Sequence, residues 1–436
     1  MNFNRLSVYL TLSALCAIFM LFFWSCAEPG AEYEPGQVRI EFWHSMSGEH
    51  GNLISSFANE FNALHDGVEI IPVYQGAYSS LNQKLVASIQ AGNPPVITQM
   101  YETWTSLLIK ADAIQPVQKF IDEDPDFQEE LDDFIKIFIA NNSWNDMLYT
   151  LPFNKSSYVF FVNKTHLKEQ GIESIPRTWE EKVEVGKKLT RDLTGNNRID
   201  QFGLGLRPVE ATFSLYLYQN SGQYLDEDGI PKLDSPEAIE ALQYIVDLVH
   251  KHNIALQETA YLSQLFGTGR ISMFYGSSAG IPFVERSLRL DDGSMRFEWD
   301  AYPMPGNNTP ATLFEGTNVG ILKTRTPRIQ QYAWEFLKFL TSKENNLRWA
   351  ITTGYTPVRY SVLEEPTLID FIEEMPAYEA VITQYDTGYY DPRVHYWSNI
   401  RPLIRSAVEK ALNRTLTPEQ ALREAQERAL IELEWW

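Results

Sequence analysis

The alternation of apolar and polar residues predicts strands and helices in turn along the first part of the chain. The expected order is a strand at 38–42, a helix at 52–64, a strand at 68–73, a helix at 79–90 and a strand at 95–101. The first helix would bury one face, made of Leu53, Phe57, Phe61 and Leu64. Strands that alternate with helices predict a parallel, doubly wound α/β sheet.

A second α/β unit is predicted after Leu148. Its elements are a strand at 158–162, a helix from Thr178 to Leu189, a helix opened by Ser235-Pro236, a strand at 269–275, and helices at 332–340 and 417–433. Thr178 and Thr417 each open a capping box. A chain of 436 residues exceeds the size that one hydrophobic core usually serves, so we expect two lobes.

The amino terminus carries the pattern of a secretory signal. Arg5 is the one charge in the first 25 residues, and an apolar stretch runs from Leu6 to Trp24. Cys26 follows the small Ser25, as in a lipoprotein signal, so we expect residues 1–25 to be removed and Cys26 to be acylated. Residues 26–37 would form a tether. The alternative is an uncleaved anchor, because about 19 apolar residues can span a bilayer. Both place the body outside the cytoplasm.

Charge and cysteine content exclude several classes. The net charge of −21 disfavours nucleic acid and anionic lipid surfaces as partners. Cys16 lies inside the signal and Cys26 would be modified, so no disulfide is expected in the mature chain. The sequence has no H-E-x-x-H motif and no Cys/His cluster, so neither catalytic zinc nor a cofactor is expected.

Seven short runs occur in order along nearly the whole chain after Val38. They are Phe42-Trp43-His44-Ser45-Met46, Asn93-Pro94-Pro95 with Tyr101-Glu102, Pro152-Phe153-Asn154-Lys155-Ser156, Met273 to Ser278, Glu315-Gly316-Thr317, Thr353-Gly354-Tyr355, and Thr417 to Leu422. Together they resemble family 1 extracellular solute-binding proteins of ABC transporters, and within that family the glycerol-3-phosphate-binding members.

The resemblance implies two α/β lobes joined by crossing strands, of the periplasmic-binding-protein type. One lobe would take residues 38–148 and 314–355, and the other 149–313 and 356–436. It implies a small polar ligand, glycerol-3-phosphate or a glycerophosphodiester, clamped in the cleft and delivered to an ABC permease. A sugar is the alternative ligand. A binding protein of this kind is not an enzyme, and closure around its ligand is what the permease would recognise.

The matched motifs imply ligand contacts at Tyr78, Glu102, Ser156, Ser277, Gly316, Tyr355 and an arginine near the carboxyl-terminal helices. Hydroxyl and backbone N–H donors suit phosphate oxygens, and a guanidinium gives bidentate geometry. Glu102 would accept from glycerol hydroxyls. It cannot lie beside the phosphate, because like charges at short range repel.

Two arginines compete for the phosphate, and one substitution affects the choice of ligand. Arg405 fits the motif around Ile404, and Arg401 fits if the spacing is counted back from Thr417; Arg405 is preferred. Arg207 stands where the glycerol-3-phosphate branch tends to have a stacking tryptophan. It could supply a second phosphate contact or indicate a different solute.

Other motifs suggest different chemistry. Residues 276–280 match the G-x-S-x-G nucleophile elbow, so an esterase using Ser277, with His395 later in the chain, is an alternative. Asp192, Thr194, Asn196, Arg198 and Asp200 have the spacing of a Ca²⁺ loop, but Gly203 stands where a closing Glu belongs. We interpret this segment first as a polar turn. His44 is expected to be a packing residue.

Overall fold

The computed structural model describes residues 37–324 and 326–434, so the predicted signal at 1–25 and Cys26 lie outside the described residues. The strands are β1 Val38–His44, β2 Val68–Tyr74, β3 Ile97–Met100, β4 Ile114–Gln115, β5 Ser143–Trp144, β6 Met147–Leu148, β7 Leu151–Asn163, β8 Leu204–Leu206, β9 Ala255–Gln257, β10 Met273–Ser277, β11 Trp299–Tyr302, β12 Thr312–Leu322 and β13 Gly388–Tyr389.

Helices cover the strands. They are α1 Gly48–Leu64, α2 Tyr78–Gln90, α3 Glu102–Lys110, α4 Gln118–Ile121, α5 Pro125–Glu130, α6 Lys136–Asn141, α7 Lys164–Glu169, α8 Trp179–Leu189, α9 Glu210–Gln219, α10 Pro236–His250, α11 Ser263–Gly267, α12 Ile281–Leu288, α13 Pro327–Leu340, α14 Lys343–Thr353, α15 Tyr360–Leu363, α16 Pro366–Glu374, α17 Glu379–Ile382, α18 Trp397–Leu412 and α19 Pro418–Glu434. In the described part of the chain, no helix has the length and apolarity needed to cross a membrane.

Two long strands join two sets of parallel strands. The main path of the sheet runs β2-β1-β3-β12-β7-β10-β8-β9. β1 is parallel to β2 and β3, and β8 is parallel to β9 and β10. Between these sets, the first part of β7 pairs antiparallel with β12, and its last part pairs with β10 and β11. The predicted α/β fold with crossing strands is confirmed.

Apolar side chains form separate cores on the two sides of these crossing strands. One core draws on residues 40–153 and 314–358, and another on residues 160–313 and 396–429. We call the elements around the first core the amino-terminal lobe and those around the second the carboxyl-terminal lobe. Helices α13 and α14 therefore pack with the first lobe, and α18 and α19 with the second. The residue boundaries given above for the lobes stay predictions.

The helix starts predicted from capping residues agree with the structure at three positions. The hydroxyl of Thr178 accepts from the backbone N–H of Glu181 at 3.1 Å, and that of Ser235 accepts from Ala238 at 3.2 Å. At Thr417 the capping box is complete, because Gln420 N–H donates to the hydroxyl and the Gln420 side chain accepts from Thr417 N–H.

Two predicted details are wrong. The face of α1 is Ile54, Phe57, Ala58 and Phe61, and Leu64 is 70% exposed. A 3.6-residue period continues this face at position 65, where the His65 ring stacks on Phe61 at 4.0 Å. The strand expected from Gly269 begins at Met273, because Gly269 has a φ of +76° and ends a turn.

Candidate functional site

A cavity of about 310 Å³ opens between the two lobes. It is lined by Thr103 and Trp104 from α3, by Glu210 from α9, and from α18 by Ser398, Arg401, Pro402, Arg405, Ser406 and Glu409. A smaller inner cavity shares Thr103 and Arg401 with it and is lined further by Tyr101, Glu102, Leu313, Phe314, Glu315, Tyr390, Asp391, Pro392 and Trp397. Aromatic rings and charged groups therefore line the inner space together.

Glu102 begins α3, directly beyond the carboxyl end of the parallel strand β3. Its Oε1 accepts from Lys155 Nζ at 2.5 Å and from Asn318 Nδ2 at 3.1 Å. The Lys155 side chain is wholly buried, and burial lowers the pKa of this lysine against the opposing charge of Glu102. Both of these hydrogen bonds go to Oε1 of Glu102 and neither goes to Oε2.

Asn154 connects Tyr78 and Tyr355 in the amino-terminal lobe. Its Nδ2 donates to the Tyr78 hydroxyl at 3.0 Å, and its Oδ1 accepts from Gln99 at 3.0 Å and Thr317 at 2.5 Å. Burial raises the pKa of Tyr355, against hydrogen bonds with Tyr78 and Asn154 that lower it. The structure thus brings the two predicted tyrosines together on one buried amide.

Ser156 and Gly316 lie on the crossing strands β7 and β12. Ser156 is buried and pairs with Glu315 in the ladder, and Gly316 pairs with Lys155. The φ of Gly316 is +101°, and a Cβ there would lie 2.0 Å from the carbonyl oxygen of Asn154. Only glycine fits this close approach of two strands.

Ser277 ends β10 in the carboxyl-terminal lobe, opposite Tyr158 of β7. Its φ of −63° and ψ of 142° are ordinary extended values. The motif serine of the G-x-S-x-G match is Ser278 rather than Ser277, a buried residue that begins a short 3₁₀ turn and does not have a positive φ. A nucleophile elbow holds its serine in a strained turn, so the match lacks the geometry of a hydrolase. In this structure Ser277 is a partly exposed hydroxyl at a strand end.

Arg401 and Arg405 share one carboxylate, that of Glu210. Arg405 donates to both oxygens of Glu210 at 2.8 and 2.9 Å, and Arg401 donates to Oε1 at 2.7 Å. Burial disfavours the charge of Glu210, but Arg401 and Arg405 outweigh it and lower the pKa of this carboxyl. Arg401 lines both cavities, whereas Arg405 lines only the outer one and its side chain is 51% exposed.

Two more carboxyl groups face Arg401 from other elements. Burial raises the pKa of Glu315 to about 7, with Arg401 opposing and Asp391 adding to the rise. Burial also raises the pKa of Asp391, whose Oδ1 accepts from the Ser214 hydroxyl at 2.6 Å. In return, Arg401 keeps its charge in spite of burial, because Glu210, Asp391 and Glu315 raise its pKa.

The remaining predicted positions have local explanations. Asp192 accepts from four backbone N–H groups of its own turn, those of residues 194–197, and Asp200 accepts from Leu193 and Thr194, so these carboxylates serve the loop. Over residues 37–324 and 326–434, no group of three or more His, Cys, Asp or Glu side chains could hold a metal ion. His44 is buried, and burial lowers its pKa to about 4.

The chain belongs to the family of bacterial extracellular solute-binding proteins, which residues 56–380 match. Family members and relatives are substrate-binding proteins of ABC transporters, so this chain is a binding protein and not an enzyme. It is 26% identical over 407 residues to the sn-glycerol-3-phosphate-binding periplasmic protein UgpB of Pectobacterium atrosepticum, covering 89% of this chain and 90% of the relative.

Solved structures have the same fold. UgpB from Mycobacterium tuberculosis in complex with glycerophosphocholine has a TM-score of 0.80 at 20% identity, covering 92% of this chain and 99% of that one. Maltose-bound MalE3 of T. maritima has a TM-score of 0.75 at 24% identity, covering 90% of this chain and 99% of that one. At these identities the likeness shows the fold alone, and the structures hold chemically different ligands.

Sequence reasoning missed several groups that line the cavities or lie buried beneath them. Asn154 and Lys155 lie inside the run that begins at Pro152, and Glu315 directly precedes Gly316. None of the three was predicted to be a site residue. Glu210 and Asp391 lie in no recognised motif. Asp391 lies in a loop, but the others share a signal: a charged or amide side chain in a largely apolar strand or helix, which is costly to bury without a partner.

Proposed function

We propose that this protein is the extracytoplasmic receptor of an ABC importer and binds glycerol-3-phosphate or a glycerophosphodiester in the cleft between its lobes. The observation that carries the proposal is the cavity itself. Guanidinium groups, carboxylates and tyrosines from both lobes converge on a space of about 310 Å³ and its inner extension. The class of ligand is that of the Pectobacterium relative, a glycerol-3-phosphate-binding protein that matches over most of both chains.

The ligand contacts that we propose are Tyr78, Glu102, Ser156, Ser277, Gly316, Tyr355 and an arginine. The Glu102 oxygen that Lys155 leaves open would accept from a glycerol hydroxyl. The tyrosine hydroxyls on Asn154 would donate to or accept from the same end. Of the two predicted arginines, Arg401 has the better support as a contact of the ligand's hydroxyl groups, because it lines the inner cavity as well as the outer one.

A sugar is the second candidate ligand. The inner cavity is lined by Tyr101, Tyr390 and Trp397, and sugars stack on aromatic faces. Its carboxyl groups Glu315 and Asp391 would accept from sugar hydroxyls. The maltose-bound structure with a similar fold makes this candidate concrete.

A thermal-shift and calorimetry panel separates the two candidates. The chain from residue 27 onward would be tested with glycerol-3-phosphate, glycerophosphocholine, glycerol, maltose and maltotriose. A ligand at 100 times its dissociation constant adds about 2.7 kcal/mol to the stability of the fold. We expect the two phosphate compounds to raise the unfolding temperature and glycerol to leave it unchanged. Stabilisation by the maltodextrins alone would replace this proposal with the sugar candidate.

We propose that the receptor is held at the membrane by acylated Cys26 and a tether over residues 26–37. A tethered receptor stays close to its permease, so delivery does not depend on free diffusion through the compartment. The support is the sequence of the first 37 residues alone: one charge, an apolar stretch, a small residue before Cys26 and a Pro/Gly/Glu segment after it.

A further inference from the structure

Arg207 stands at an edge of the sheet where ligands are expected. It directly follows β8, which is parallel to β10, with Gly205 opposite Phe274. Ser277 ends β10, so both residues lie at the carboxyl edge of the parallel strands in the carboxyl-terminal lobe. In open α/β sheets, ligands bind outside this edge.

The Arg207 side chain is held by an exposed aromatic ring rather than by a carboxylate. Its guanidinium carbon lies 4.7 Å from the centre of the Tyr261 ring, and Tyr261 is 78% exposed. Its Nη2 donates to the carbonyl oxygen of Thr259 at 3.3 Å, and its buried Nε has no hydrogen-bond partner. Within the described residues, no carboxylate oxygen lies within 4.0 Å of its guanidinium.

Tyrosines connect Arg207 and Tyr261 to the rest of the cleft. Burial and the nearby Glu315 raise the pKa of Tyr158, and the charges of Arg207 and Arg401 oppose that rise. Tyr158 therefore lies near both arginines. In the same way, Tyr261 contributes to the raised pKa of Tyr355, after burial, so the Tyr261 loop approaches the amino-terminal lobe. Tyr158, the ladder partner of Ser277, thus experiences the charges of both Arg207 and Arg401.

The other cationic position in the cleft is a poor place for a phosphate. Arg401 and Arg405 are compensated by Glu210, and Glu315 and Asp391 lie beside them. A phosphate there would meet three carboxyl groups, and like charges at short range repel each other strongly. Arg207 offers a positive charge without that opposition.

We propose that Arg207, together with the hydroxyl of Ser277, binds the phosphate group of the ligand. The polyol end, or the cationic end of a phosphodiester, then points to the carboxyl groups Glu315 and Asp391. This inference rests on the proposed function and assigns the ligand's orientation within the same cleft. The two terminal nitrogens of the Arg207 guanidinium lie in one plane and can donate to two phosphate oxygens at once.

The test uses calorimetry on the chain from residue 27 onward, with Arg207→Ala, Arg207→Lys and a matched control, Arg328→Ala. Arg328 also stacks on a tyrosine, 5.4 Å from the ring of Tyr332, but on the surface of α13. Glycerol-3-phosphate and glycerophosphocholine are the phosphate-bearing probes, one a monoester and one a diester. We expect Arg207→Ala to weaken whichever binds by about 30-fold or more and Arg207→Lys to recover part of the loss. Arg328→Ala should bind as the wild type does.

Each outcome decides a separate point. A larger loss for the monoester than for the diester is expected if the doubly charged group rests on Arg207. If wild-type protein binds a phosphate compound and Arg207→Ala binds it as tightly, the assignment of Arg207 is overturned while the proposed function stands. If wild-type protein binds neither phosphate compound but binds a maltodextrin, both fail. As a second readout, the ³¹P resonance of bound ligand should shift between wild type and Arg207→Lys, and an unshifted resonance contradicts contact with residue 207.

Discussion

The ammonium of Lys155 lies 2.5 Å from Oε1 of Glu102, and its side chain is wholly buried beneath the cleft. Lys155 comes from the crossing strand β7 and Glu102 from the first turn of α3, so this contact joins a crossing strand to a helix that lines the cavities. The pair is close to neutral as a unit. A ligand at Glu102, as proposed above, would therefore meet an oriented acceptor rather than an uncompensated negative charge, which suits hydroxyl groups better than cations.

Removing the charge of one partner of this ion pair should destabilise the fold. Glu102→Gln removes the only carboxylate that contacts Lys155 in the described structure and leaves a buried ammonium without charge compensation. Removing one partner of a buried pair typically destabilises a protein by about 3–5 kcal/mol. We expect that loss in urea unfolding at pH 7, together with weaker binding of polyol ligands in calorimetry.

A double variant and a surface pair serve as controls. Glu102→Gln combined with Lys155→Met should recover most of the lost stability, because no charge is then left buried. The exposed pair between Lys187 and Glu184, 2.7 Å apart, should show no measurable change on Glu184→Gln. A double variant no more stable than Glu102→Gln would show that the buried charge is not the cause.

The raised pKa of Glu315 makes stability depend on pH in a defined direction. Its pKa is about 7 in the folded protein, mainly because of burial, and the ordinary value is 4.5. The folded state thus holds the proton more tightly, so the stabilisation is complete below pH 4.5 and is lost as the pH rises to about 7. The difference corresponds to at most about 3 kcal/mol.

Glu315→Gln should remove this pH dependence. We expect the free energy of unfolding of the wild type to fall more steeply than that of the variant between about pH 5 and pH 7.5. Glu173→Gln, at an exposed surface position, should follow the wild-type curve. Parallel curves for wild type and Glu315→Gln would mean that Glu315 does not titrate in this range.

The sequence predicted the elements and their caps because those depend on neighbouring residues. Strand and helix alternation, the capping box at Thr417 and the cap at Ser235 are local patterns, and the structure contains each of them. The resemblance supplied the crossing strands, which no local pattern indicates. The resemblance also predicted both Tyr78 and Tyr355 as ligand contacts. They are 277 positions apart in the chain, and their side chains meet in the structure.

The charge pairing of the cleft could not be predicted in the same way. Glu210 precedes Arg401 by 191 positions, and nothing near either residue indicates that they meet. The sequence alone does not show whether an arginine forms an ion pair with a carboxylate that is distant in the chain. The preference for Arg405 rested on motif spacing, which carries no information about Glu210.

Glycine at position 316 should be essential to the crossing strands. A Cβ at residue 316 would lie 2.0 Å from the carbonyl oxygen of Asn154, and the φ of +101° is unfavourable for any other residue. We expect Gly316→Ala to lower the free energy of unfolding by about 2–4 kcal/mol. Gly280→Ala is the control, because its Cβ would meet nothing closer than 3.9 Å. Equal stability of the two variants would contradict the argument.

The lipid anchor can be tested by mass spectrometry of the mature protein. Cys26 follows Ser25 at the end of the apolar stretch, so we expect processing before Cys26 and acylation of its amino terminus and thiol. Cys26→Ala should give protein without lipid. Detection of an intact Met1 in the membrane fraction would support the uncleaved anchor instead.

Arg401 and Arg405 should respond differently to truncation, although both contact Glu210. Arg405 is half exposed, and Arg401 still compensates Glu210 when Arg405 is removed, so Arg405→Ala should change phosphate-ligand affinity by less than about threefold. Arg401→Ala leaves Glu210, Glu315 and Asp391 facing one another without their shared cation. We expect it to raise the pKa of Glu315 further and to lower the free energy of unfolding at pH 8 by about 3 kcal/mol or more. Calorimetry and urea unfolding at pH 6 and pH 8 measure both effects. A loss of affinity of about tenfold or more for Arg405→Ala would put the phosphate beside Glu210 and contradict its assignment to Arg207.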